Sequence, residues 1–204
     1  MTPAAIQHLA GSDEILGEII RRVGPCSLVP RRRRSPYEAL VRAVTYQQLN
    51  GKAAQTILQR VRDLFPGKTF PSPRELANMP DHKLRNAGLS RAKTLAVKDI
   101  AEKALAGVVP DRRAISRMSD AEIIERLTEV RGVGVWTVEM LLIFTLGRMD
   151  VLPATDHGVR KGFALVYAKP DLPDPAELLA YGERWRPHRS TAAWYLWRSL
   201  ELPR

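Results

Sequence analysis

Gly132 and Gly134 stand one residue apart in the stretch VRGVGVWTVEML, residues 130–141. Glycine is costly inside a helix, yet apolar residues at helical spacing flank the pair. Before it, Ile123, Ile124, Leu127 and Val130 share one face of a helix expected over about 120–130. After it, Val135, Val138, Leu141, Leu142 and Thr145 share one face of a second helix, expected over about 134–146. Only about three residues separate the two, so they must fold back as a tight hairpin with Val133 plugging its base. Glycine permits the backbone angles of such a turn and keeps side chains away from the amides. The second helix then begins with N–H groups that lack intrahelical partners, at the positive end of its dipole, which makes an anion site. The chain carries 32 Lys and Arg against 22 Asp and Glu, a net charge of +10. In so basic a chain the anion this implies is a DNA phosphate.

The elements around this turn read as helices throughout. Ser35-Pro36-Tyr37-Glu38, Ser72-Pro73-Arg74-Glu75 and Ser119-Asp120-Ala121-Glu122 have the pattern of capping boxes. Asn50 and Ser90 are further N-cap candidates. The pattern predicts helices at about 13–23, 36–48, 51–65, 73–78, 81–87, 91–106, 120–130, 134–146, 156–167, 175–181 and 187–201. No alternating strand is evident, so the expected class is all-α. Apolar residues make up 45% of the 204, enough for a core and too many for a disordered chain. Cys26 is the single cysteine, which rules out an intrachain disulfide and a four-cysteine metal site. Neither a signal peptide nor an apolar run long enough for a membrane helix is present. The run Arg31–Arg34 reads either as a solvated loop or as a phosphate clamp.

Four stretches together resemble a known family. The string L-x-x-V-R-G-V-G-x-W-T looks like the helix-hairpin-helix of DNA repair glycosylases. VLPATDHGVRKGF (151–163) resembles the segment that follows the hairpin in the helix-hairpin-helix, Gly/Pro-Asp superfamily. YGERWRPHRSTAAWYLW (181–197) and AVTYQQLNGKAAQTI (43–57) resemble the C-terminal helix and the Q-Q segment of its 3-methyladenine DNA glycosylase II family. The likeness covers roughly residues 35–200. It implies a two-lobed, all-α glycosylase fold with its active site in the cleft between lobes. Residues 1–34 are expected as an N-terminal helix and basic loop packing with the C-terminal helices, and 35–204 as the glycosylase domain, with the hairpin at about 120–146. Only about 35 residues precede the first matching helix, so the family's additional N-terminal α/β domain is expected to be lacking. The iron–sulfur cluster of endonuclease III-like relatives is excluded by the single cysteine.

The resemblance also assigns roles. Asp156 falls on the catalytic aspartate, a carboxylate that stabilises an oxocarbenium-like transition state and orients the attacking water. Read without that context, it is an N-cap following Thr155, and the two roles are compatible. Trp136 and Trp197 match rings lining the base pocket, suited to stacking on a cationic alkylated purine, while Met140 and His157 depart from aromatic examples there. Core packing is the plainer reading for Trp185 and Trp194. The flipped base leaves a gap in the duplex. The wedge that fills it matches Gln47-Gln48-Leu49, with Gln48 at the wedge position. Arg131, Gly132 and Gly134 are the expected hairpin contacts to DNA, and the carbonyls of Thr128, Val130 and Val133 match those that hold a sodium or potassium ion. No other cofactor is implied. Members that also cut the strand use a lysine where this chain has Trp136, so the expected reaction is hydrolytic removal of 3-methyladenine or 7-methylguanine, without lyase activity. The expected partner is double-stranded DNA containing alkylated bases, bound by a monomer with no membrane association. Such a protein is cytoplasmic and nucleoid-associated in a bacterium, nuclear in a eukaryote. Removal of other damaged or mismatched bases, or DNA binding without catalysis, are the alternatives.

Overall fold

The computed structural model describes residues 3–203, and among these there is no β-strand. The helices are α1 Pro3–Ser12, α2 Glu14–Val23, α3 Pro36–Tyr46, α4 Gly51–Asp63, α5 Pro73–Asn78, α6 Asp81–Asn86, α7 Arg91–Leu105, α8 Arg112–Ile115, α9 Asp120–Thr128, α10 Val135–Leu141, α11 His157–Val166, α12 Pro175–Tyr181 and α13 Arg189–Ser199. Residues Leu142–Leu146 form a π-helical segment and Gly182–Trp185 a 3-10 turn. No helix among them is long and apolar enough to cross a membrane.

Local sequence explains most starts. Ser72 with Glu75, and Ser119 with Glu122, make complete reciprocal capping boxes. Asn50 and Ser90 cap α4 and α7. At α3 the box is only half made. Ser35 accepts from the Glu38 amide, but the Glu38 carboxylate turns to Arg42 at 2.8 Å. Three elements differ from the sequence reading. α1 lies outside the expected helices, α8 is a single turn, and the helix expected over 134–146 is α only as far as Leu141.

The chain forms two compact units, one of residues 3–31 with 142–203, the other of residues 32–141. The N-terminal segment packs with the C-terminal helices as expected, but the boundaries differ from a division into 1–34 and 35–204. The reason is a shared core: Leu9, Leu16, Ile19 and Ile20 from α1 and α2 pack with Phe163 of α11, Trp185, and Trp194 and Tyr195 of α13. The apolar faces of α11 and α13 are covered only with the N-terminal helices in place. α11 and α13 also approach very closely. A Cβ on Gly162 would lie 2.1 Å from the Leu196 carbonyl oxygen, so no side chain fits there.

In the second unit α7 is central, packing against α3, α5 and α6. It buries Ala96, Val97, Ile100 and Ala101. The hairpin of α9 and α10 closes over Ile123, Leu127, Val130, Val133, Val138 and Leu141, all buried. Val135, expected on that packed face, is instead 47% exposed. It is the first residue of α10, where the helix has only just left the turn.

One buried acid ties the first unit together. Asp13 is 5% exposed and caps α2 through the Leu16 amide. Its other carboxylate oxygen accepts from the Tyr167 hydroxyl at 2.6 Å and the Trp185 indole N–H at 3.0 Å. Burial and the adjacent carboxylate hold the Tyr167 hydroxyl protonated far above the usual range. Removing the acceptor strands buried donors, so Asp13→Ala should destabilise the protein by about 3 kcal/mol, with Tyr167→Phe costing about 1 kcal/mol. Urea denaturation followed by tryptophan fluorescence checks both. Near-wild-type stability of the alanine variant would contradict this role.

Candidate active site

Asp156 sits at the end of the loop 151–156, whose Val151, Leu152, Pro153 and Ala154 are buried. Two turn hydrogen bonds fold that loop: the Ala154 amide to the Leu152 carbonyl at 2.8 Å, and the Asp156 amide to the Pro153 carbonyl at 2.9 Å. They deliver Asp156 to the N-cap of α11 in extended backbone geometry. Its Oδ1 accepts from the Val159 amide at 2.8 Å and from the Trp197 indole N–H at 2.8 Å. Two donors on one oxygen fix the plane of a half-buried carboxylate and place it at the positive end of α11.

Trp197 therefore does more than offer a ring face, because its N–H orients the acid. The ring itself lies 5.6 Å from that of Phe144, tilted by 32°. Phe144 projects from the π-helical segment and is 36% exposed. It lies in the apolar string MLLIFTL, where nothing in the spacing separates an exposed ring from core packing. His157 begins α11 and is exposed. Trp194 and Trp185 belong to the core.

Gly158 is a second residue that the motif hid. A Cβ there would lie 2.9 Å from Trp197 Cδ1, 3.0 Å from its Nε1 and 3.0 Å from Asp156 Oδ1. With Gly162 one turn on, it clears the face of α11 on which α13 lies.

In the second unit the structure places the remaining candidates on the hairpin and on the turn after α3. Trp136 and Met140 lie one turn apart on α10. Trp136 is 39% exposed and Met140 partly buried. Gly132 has φ of 75°, the left-handed region that the turn requires, and a Cβ there would meet that of Ala96 at 3.0 Å. Gly134 has no such need: its φ is not positive and nothing lies within 4 Å of a Cβ built on it. The Arg131 amide is spent internally, donating to Asp99 Oδ2 at 2.8 Å, while its side chain is exposed. Val130 accepts from the Val133 amide at 3.0 Å.

The turn after α3 departs from a solvated helix end. Gln48 has φ of 57°, uncommon for a residue with a side chain. Gln48 and Leu49 are exposed, but Gln47 is not free: its side-chain amide donates to the Gly132 carbonyl at 3.0 Å and to Thr137 Oγ1 at 3.1 Å. Lys93 donates to the carbonyls of Thr45 and Gln47 at 2.8 and 2.7 Å. Burial lowers the Lys93 pKa. These partners lie more than 40 positions away in sequence, so no local pattern could have revealed them. Of the arginine run, Arg34 is tied to Arg112 through its carbonyl at 3.3 Å and lies 3.9 Å from Glu38.

The close fit at Gly158 gives a direct structural test. Gly158→Ala should push the indole away from Asp156, and the NMR signal of the carboxylate-bonded Trp197 N–H should shift or vanish while the fold is kept. An unchanged indole signal would show that Gly158 does not hold this geometry.

Comparison with known proteins places these features in a family. The description "HhH-GPD superfamily base excision DNA repair protein" matches residues 41–187. DNA-3-methyladenine glycosylase 1 of Schizosaccharomyces pombe is 40% identical over 99% of this chain and 89% of its own length. A solved structure of the S. pombe 3-methyladenine DNA glycosylase Mag1 in complex with abasic DNA superimposes with a TM-score of 0.89, covering 98% of this chain and 97% of that one. A DNA-3-methyladenine glycosidase from Bacillus halodurans, 33% identical, gives 0.85 and covers 97% of this chain and 89% of that one. The chain belongs to the HhH-GPD superfamily of base excision DNA repair proteins, within its 3-methyladenine DNA glycosylase family.

Proposed function

We infer that the protein is a DNA glycosylase that excises alkylated purines, of the 3-methyladenine and 7-methylguanine class, from duplex DNA by hydrolysis. The observation that carries this reading is the Asp156 carboxylate, oriented by the Val159 amide and the Trp197 indole N–H. Breaking an N-glycosidic bond builds positive charge on the sugar, and a fixed carboxylate beside it lowers the barrier. The same group can orient the water that completes the reaction. An alkylated purine is cationic and already a good leaving group. Recognition can then rest on stacking against electron-rich rings, for which Trp136, Trp197 and Phe144 are the exposed or partly exposed candidates. That related proteins are named DNA-3-methyladenine glycosylases, and that Mag1 has been captured on abasic DNA, supports the same chemistry.

The hairpin supplies the grip on the backbone. The amides at the start of α10 lie next to Gly134, around which there is open space, so a phosphate oxygen can reach them. At the C-terminal end of α9 the carbonyls of Thr128, Val130 and Val133 are hard oxygen donors at the negative end of a helix dipole. The Val130 oxygen, already accepting one hydrogen bond, keeps a second lone pair. These groups suit a sodium or potassium ion, which would add charge beside the phosphate. No amine stands where strand-cutting relatives keep a lysine, since that position is Trp136. Base removal therefore leaves an abasic site on an intact strand.

Incubation with methylated duplex DNA should release 3-methyladenine or 7-methylguanine, measured by chromatography. Release of neither would overturn the substrate assignment. Borohydride added during turnover should trap no protein–DNA adduct, with breaks appearing only after alkali, whereas a trapped adduct would show an amine nucleophile. Gly134→Val should leave the melting temperature unchanged, because its Cβ points into open space. It should weaken binding of damaged and undamaged duplexes alike, since phosphate contacts carry no sequence information. Equal binding across a salt titration would make the hairpin purely structural.

A further inference from the structure

We propose that Gln47 is a positioning residue that locks the 47–49 turn to the hairpin, rather than a group that touches DNA. The proposal rests on the reading of that turn as the part that fills the gap in the duplex and of the hairpin as the part that holds phosphate. Both side-chain hydrogen bonds of the Gln47 amide are made to the hairpin: one to the Gly132 carbonyl, the other to the Thr137 hydroxyl in the first turn of α10. Thr137 is 2% exposed, so its hydroxyl is out of reach of a ligand and serves to hold Gln47.

A second set of contacts holds the same two segments from beneath. Along α7, Lys93 grips the Thr45 and Gln47 carbonyls, Ala96 lies against Gly132, and Asp99 accepts from the Arg131 amide. These three residues follow at intervals of three, along one side of the helix. The turn and the hairpin, about 85 residues apart in sequence, are thus fixed to one platform and to each other. That rigidity lets Gln48 keep its left-handed φ of 57° with Leu49 exposed beside it, a conformation that persists where the surroundings over-determine it. A phosphate held at Gly134 then sets where Gln48 and Leu49 enter the duplex. The half-buried Gln47 amide does this through its contacts to the hairpin.

A double-mutant cycle separates this from direct DNA contact. Affinity is read by fluorescence anisotropy on a duplex carrying a tetrahydrofuran abasic analogue. Gln47→Ala and Thr137→Val should each weaken binding about tenfold, and the double variant should be no weaker than the poorer single. Thr137→Ser, which keeps the hydroxyl, should bind as wild type. If Thr137→Val binds normally while Gln47→Ala does not, or if the two effects multiply, Gln47 reads DNA directly and the proposal fails. It fails equally if Thr137→Ser loses as much as Thr137→Val. Hydrogen exchange on DNA-free protein gives an independent readout: Gln47→Ala should speed exchange of the hydrogen-bonded Arg131, Val133 and Val138 amides, and unchanged exchange would overturn the lock. Wild-type protein with no preference for the abasic duplex would instead overturn the glycosylase reading on which the proposal rests.

Discussion

The Asp156 carboxylate, held on one oxygen by the Val159 amide and the Trp197 indole N–H, is the interaction on which the proposed chemistry depends. An acid at a helix start would otherwise sample several rotamers. Two charge-assisted hydrogen bonds remove that freedom. The indole can reach the acid only because α13 lies directly on α11, and that approach is open only because Gly158 and Gly162 carry no side chain. The closeness of the two helices is backed in turn by the core of α1 and α2 and by the acceptor Asp13, to which Tyr167 and Trp185 are tied. Packing, polar satisfaction and the orientation of the Asp156 carboxylate are here one continuous arrangement.

The second unit solves a different problem. In the proposed function its hairpin presents amides to a phosphate, and it must do so without loosening. Glycine supplies the presentation, and α7 with Gln47 supplies the stiffness. Gly132 turns the chain with a left-handed φ and rests on Ala96. Asp99 takes up the Arg131 amide, so this donor is satisfied internally. The two glycines that look alike in sequence thus differ. Gly132 is required by the fold, and Gly134 is not, since a side chain there would meet open space.

Much of this was legible in the sequence because it is local. The capping serines at 72 and 119, the hairpin face of Ile123, Leu127, Val138 and Leu141, and the N-cap position of Asp156 each follow from spacing within a few residues. What escaped was long-range or side-chain specific. Lys93 is an ordinary helix-surface residue until distant backbone carbonyls meet it, and Gln47, expected at the DNA, turns instead to the Gly132 carbonyl and the Thr137 hydroxyl. Phe144 is indistinguishable by type from its buried neighbours, and its exposure comes from the π-helical segment, for which the sequence carries no recognised signal. Trp197 was read as a ring, because which way an indole N–H points depends on a helix 41 residues away. The packing of the N-terminal segment on the C-terminal helices follows the expectation, while the boundaries near 31 and 142 do not, because they depend on which core each distant helix joins.

The central claim is that the charge of Asp156, beyond its part in capping α11, drives bond cleavage. Asparagine keeps a side-chain oxygen that can cap the helix and accept from Trp197, and removes only the charge. Single-turnover base release by Asp156→Asn on a duplex with one alkylated purine separates the two roles. The account predicts a rate lower by about a hundredfold or more, with unchanged melting temperature and unchanged affinity for an abasic-analogue duplex. A variant that folds, binds and releases base at close to the wild-type rate would contradict it.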